Sequence, residues 1–158
     1  MEERDFCFEK DFYDVISMAN EEAKRLEVPL IPNILIVKML YNNKFSILRN
    51  LIDFMGLPEN SVKKTLDKLV KSSFEKDEYD YIGIDLSIFG LAETISITQD
   101  NCIDELEFLL SITVLKEEYF MSFLKVYDKK AEDVETFLRG KRSMALDIIY
   151  GPKSGFLS

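Results

Sequence analysis

The stretch MANEEAKRLEVPLIPNILIVKML (residues 18–40) decides how this chain is read. Together with the residues before it, it carries apolar side chains at Phe12, Val15, Ile16, Ala19, Ala23 and Leu26, the spacing of an amphipathic helix from Lys10 to about Arg25. Pro29 and Pro32 cannot sit inside a helix, so they force a connector. Asn33 is the expected N-cap of the next helix, which is apolar on nearly every face through Leu40 and therefore reads as buried.

The same step occurs again 72 positions on. GLAETISITQDNCIDELEFLLSI (90–112) shares almost no letters with 18–40 but has a similar apolar skeleton. Ile16 pairs with Ile88, Ala23 with Ile95, Ile31 with Ile103, Ile34 with Leu106, Val37 with Leu109 and Leu40 with Ile112. Further along, Leu48 meets Phe120, Leu51 meets Phe123, Val62 meets Val134 and Leu66 meets Leu138. A chance match between helical patterns loses phase within three or four turns, whereas this one needs no gap across four helices, the mark of a duplicated unit. The other helices of the first unit are FSILRNLIDFM, stopped by Gly56, and PENSVKKTLDKLVKSS, opened near Pro58. Strand signals are weak throughout. The expected fold is all-α: two tandem pseudo-symmetric four-helix repeats, about 8–72 and 85–140, in a domain spanning 1–142. Residues 73–84 read as a charged connector and 143–158 as a linker or tail.

Composition narrows the function. With 158 residues, 47% of them hydrophobic, the chain is long enough to bury one sizeable core. Its formal charge of −9 disfavours nucleic acid as the main ligand. The local basic runs at Lys63, Lys64, Lys68 and Lys71 and at Arg139, Lys141 and Arg142 read as solvated helix faces. Histidine is absent, which removes Ser-His-Asp and Cys-His catalysis and His-containing zinc sites. YGPKSGF (150–156) has the residue types of a phosphate loop in the wrong order. The carboxylate runs EKDEYDY and KAEDVE lack the spacing of a calcium loop. No catalytic residue, metal site or cofactor is expected in this chain. The acidic N-terminus lacks a signal-peptide layout and no run approaches a membrane span, so a reducing cytoplasmic location is the default expectation. Cys7 and Cys102 lie far apart, and Cys102 reads as a packed or half-buried thiol.

The residues then resemble a known family. FEKDFYDVISMANEEAKRLE (8–27), with its A-x-E-E-A core at Ala19, Glu21, Glu22 and Ala23 followed by Arg25 and Leu26, is similar to the opening helix of the N-terminal domain of the Clp AAA+ unfoldases. IPNILIVKML (31–40) and IDELEFLLSI (103–112) occupy the place of that family's I-G-T-E-H-I-L-L-G-L helix, and MGL (55–57) that of its A-L-G-L turn. The resemblance covers about residues 8–140. It implies a non-catalytic domain that recruits adaptor proteins and captures unfolded or tagged substrates for a hexameric ATP-driven ring and its peptidase, and that is monomeric when isolated. The alternative is a free-standing adaptor or regulatory protein of the same build.

The resemblance also nominates a protein-binding set. It comprises Phe8 at the start of the first helix, Asn33, Ile34 and Leu35 at the family's T-E-H position, and Glu105, Leu106 and Glu107 at the equivalent position of the second repeat. In some members a Glu pair there receives a phosphorylated arginine. Here the pair is Ile34 and Leu106, which removes that expectation and leaves core packing or a hydrophobic peptide groove. Phe6, Phe8 and Phe12 are candidates for a partly exposed docking surface. The tail's Leu146, Asp147, Tyr150 and Gly151 weakly resemble the junction to a first ATPase module; a frayed C-terminus is the other reading.

Overall fold

The computed structural model describes residues 5–76 and 81–151. Among these residues there are eight α-helices and no β-strand: α1 (Lys10–Arg25), α2 (Asn33–Tyr41), α3 (Ile47–Met55), α4 (Glu59–Phe74), α5 (Leu86–Thr94), α6 (Glu105–Val114), α7 (Glu118–Val126) and α8 (Ala131–Tyr150). The all-α reading therefore holds, and the helices fall within a few residues of the positions that periodicity assigns. Part of the connector (77–80) and the end of the tail (152–158) lie outside the described residues.

Local chemistry fixes the helix ends. Gly56 takes the left-handed conformation (φ 68°) that closes α3, and Ser46 opens it by accepting the Arg49 N–H. Asn33 differs from expectation: Pro32 is the N-cap and Asn33 is the first helical residue. Proline already provides the extended φ of a cap position, which frees the Asn33 side chain for another use. α8 continues through the stretch read as tail, because nothing between Ala131 and Tyr150 breaks a helix until Gly151. The Tyr150 hydroxyl donates to the Ile97 carbonyl at 2.7 Å, which holds the last turn against the segment between α5 and α6.

α2 and α6 form the centre. Every residue of α2 except Lys38 is buried, as are eight of the ten residues of α6. α2 packs on α1, α3, α4 and α7, while α6 packs on α5, α7, α8 and α3. One hydrophobic cluster runs from Phe12 to Leu138 across all eight helices. The chain segments before helices also meet. Glu9 and Ile103 backbone N–H groups donate to the Ile103 and Cys7 carbonyls, and those of Ile31 and Gly83 donate to the Gly83 and Pro29 carbonyls. Phe8 is thereby paired with Ile103, and Leu30 with Gly83.

The first of these pairings corrects the reading of Cys102 as a thiol. Cys7 and Cys102 form a disulfide, their Cα atoms 4.5 Å apart. They are 95 positions apart in sequence, so only the pairing of the segment before α1 with the one before α6 brings them within bonding range.

Candidate functional site

Three helix starts converge on one cavity of about 500 Å³. α2 contributes Pro32 and Asn33, α5 contributes Asp85 through Ile88, and α7 contributes Glu117, Glu118 and Tyr119; Ser73 and Lys76 at the end of α4 and Tyr81 and Ile82 complete the wall. Two of the three starts, those of α5 and α7, are capped by a side chain from within, whereas α2 opens on Pro32 with no side-chain cap. The Asp85 carboxylate accepts the N–H groups of Ser87 (3.0 Å) and Ile88 (3.3 Å), and the Glu117 carboxylate accepts those of Phe120 (2.9 Å) and Tyr119 (3.2 Å). The second Asp85 oxygen accepts from the Asn33 amide at 3.2 Å, tying α2 to α5.

One buried acceptor here is left over. Asn33 is only 3% exposed, and its Oδ1 has no hydrogen-bond partner. Burial raises the Glu117 carboxyl above its ordinary value; its two backbone hydrogen bonds oppose the rise, and the negative charges of Glu118 and Asp85 add to it. Lys76 pairs with Glu118 at 3.3 Å on the rim. The cavity is thus a mixed recess, in which Asn33, Asp85, Glu117 and Glu118 face Lys76 and Lys116 between apolar and aromatic walls of Leu115, Ile82, Tyr81 and Tyr119. Among the described residues, no group of three or more His, Cys, Asp or Glu side chains could hold a metal ion.

Of the seven nominated residues, Asn33 alone lines this cavity. Ile34 and Leu35 are fully buried and Leu106 is 4% exposed, so of the two readings left open for Ile34 and Leu106 the geometry corresponds to core packing. Phe8 is half-buried and sits elsewhere, edge-on to Phe89 with centroids 5.8 Å apart and 5.9 Å from Phe12. Phe12 is 1% exposed, while Phe6, half-buried like Phe8, packs 6.0 Å from Phe89. This ring cluster, continued by Phe108, faces mostly inward.

The two glutamates of α6 also turn inward. Glu105 accepts the Leu48 N–H at 2.8 Å and so caps α3. Desolvation raises its carboxyl to about 7, against the lowering effect of the Leu48 and Ile47 N–H groups. Glu107 is 0% exposed and accepts the Asp104 N–H at 3.2 Å in a capping box, while its Oε2 has no partner. Burial raises it as well to about 7, with Arg142 acting in the lowering direction.

Sequence reasoning missed Asp85, Glu117, Tyr81 and Tyr119. Asp85 had a usable signal, since Asp-Leu-Ser-Ile is an N-cap followed by an apolar start. No family model matches this chain, and comparison with curated proteins returns no match.

Proposed function

We propose that the chain is a non-catalytic protein-binding domain of two four-helix repeats, of the kind that recruits adaptors and unfolded or tagged substrates to a Clp-type ATP-dependent unfoldase. One observation supports the reading: helix starts and helix contacts in the two halves of the chain correspond, and one cavity is lined from both halves. α6 starts 72 positions after α2, α8 starts 72 after α4, and α7 starts 71 after α3. The contacts of α2 with α7 and of α4 with α7 have counterparts in those of α6 with α3 and of α8 with α3. The backbone pairings follow the same exchange, joining the lead into α1 to that of α6 and the lead into α5 to that of α2. Each unit is too small to bury a robust core alone, so the pair shares the buried α2 and α6 as its interior, with α7 packed on α2 and α3 on α6.

In this reading the cavity at Asn33, Asp85 and Glu117 takes part of a substrate or adaptor segment, with its walls supplying the apolar contact. The ATPase ring and peptidase act downstream, supplied by the rest of a longer polypeptide or by a separate one. The second form, a free-standing adaptor, has the same site and no attached ATPase. Probing a lysate of the source organism with an antibody to this domain separates the two. A band several times heavier than 18.4 kDa is expected for the attached form. A band at that mass would overturn the attached form and leave the adaptor.

A further inference from the structure

A second recess lies away from the cavity at Asn33, Asp85 and Glu117, between α3 and α8. It has a volume of about 660 Å³ and is floored by Leu51, Met55 and Val134, with Phe54 and Phe137 packed ring to ring at 4.8 Å. Phe54 is 64% exposed and Met144 60% exposed, which is unusual for large apolar side chains facing one groove. Beside Gly140 the groove is open space: a Cβ added there would meet nothing within 4 Å. The apolar stripe continues along α8 through Ile148, 84% exposed and one turn beyond Met144.

The fold does not require this opening. On the opposite side, where α7 meets α4, the Tyr127 hydroxyl reaches Ser61 Oγ (2.8 Å) and Thr65 Oγ1 (2.9 Å) and closes the contact. At an offset of 72 the corresponding α3–α8 residues are Met55, Asp133 and Phe137, which leave the groove apolar and unbridged.

Its rim has a charge opposite to that of the whole chain. Lys129 and Lys141 line it, against one carboxylate, Asp133, in a chain of net charge −9. Neither lysine is in an ion pair among the described residues; Lys141 Nζ lies 5.5 Å from the Phe137 ring centre. A two-fold dimer through this face would set each copy's lysines against the other's, so a second copy is the poorer match. We propose that the α3–α8 groove docks a segment of a partner protein whose large apolar side chains are flanked by carboxylates. The apolar floor supplies the contact area and the two ammonium groups choose the flanks. This inference does not rest on the unfoldase reading.

The test uses two short synthetic peptides with the same Leu and Phe core at i and i+4, one flanked by Glu and one by Lys, titrated into ¹⁵N-labelled protein. The Glu-flanked peptide is expected to bind on the order of tenfold tighter at low salt, with shifts at Phe54, Val134, Gly140 and Met144. Gly140→Leu fills the groove while favouring the helix, so binding should vanish with the melting temperature held or raised. Charge reversal of Lys129 and Lys141 to Glu should invert the preference. Equal binding of both peptides, or binding of neither, overturns the proposal. So does a concentration-dependent dimer that Gly140→Leu dissociates, which would assign the groove to a second copy.

Discussion

Glu107→Gln removes a buried charge and changes little else. The carboxyl is 0% exposed, and its rise from an ordinary 4.5 to about 7 measures how much the fold disfavours the ionised form. At about 1.4 kcal/mol per pH unit, that rise corresponds to roughly 3 kcal/mol. Because the folded value lies above the unfolded one, the favourable contribution is complete below about pH 4.5 and is lost as pH climbs through 7. Glutamine resembles the protonated acid in shape and charge, and its oxygen can still accept the Asp104 N–H of the capping box. Wild type and variant should therefore have similar stability near pH 4, and the variant should be the more stable by up to roughly 3 kcal/mol at about pH 8. Glu105 titrates in the same direction in both proteins and cancels in the difference. Urea unfolding followed by circular dichroism across this range reads the gap directly. Parallel stability curves, or a variant that loses ground as pH rises, would refute the assignment of Glu107 as a buried, disfavoured charge.

Other predictions concern separate parts of the chain. Cys7→Ser should lower stability by about 4 to 5 kcal/mol under oxidising conditions, since the bridge closes a 95-position separation, and thiol titration of the denatured wild type should find no free cysteine. Under reductant the wild type should fall to the variant's level; a wild type insensitive to reductant would show that the bridge contributes nothing. Glu27→Gly relieves a left-handed residue (φ 57°) at the end of α1 and should raise stability by about 0.5 to 1 kcal/mol in thermal melts. Asp85→Ala removes the cap of α5 and the partner of Asn33, for an expected loss of about 1 to 2 kcal/mol; a neutral result would mean that the α2–α5 tie contributes no stability.

Much of the fold was legible because α2 and α6 are apolar on most faces and the flanking helices on one. That contrast is written in periodicity alone, and it survives the near-total loss of shared letters between 18–40 and 90–112. Gly56 and the two prolines fixed boundaries for the same local reason: each allows few backbone conformations. The site was less legible. Asn33 was legible as a cap and as a member of the nominated binding set, but its tie to Asp85 spans 52 positions and depends on how α5 docks. The disulfide escaped notice because spacing does not reveal which distant segments pair. Glu105 and Glu107 were nominated as binding residues by their place in the second repeat, and it is the docking of α3 and α8 onto α6 that turns them inward.

The proposed function requires that the cavity at Asn33, Asp85 and Glu117 receive polypeptide. The direct measurement is a ¹⁵N–¹H correlation titration of the protein with a permanently unfolded chain such as reduced, carboxymethylated lactalbumin. The expected result is saturable shifts at Asn33, Asp85, Ser87 and Tyr119 that disappear in Asn33→Ala while the rest of the spectrum stays folded. Saturable binding with no shift at those residues, or no binding at all, would contradict this cavity as a site for protein segments.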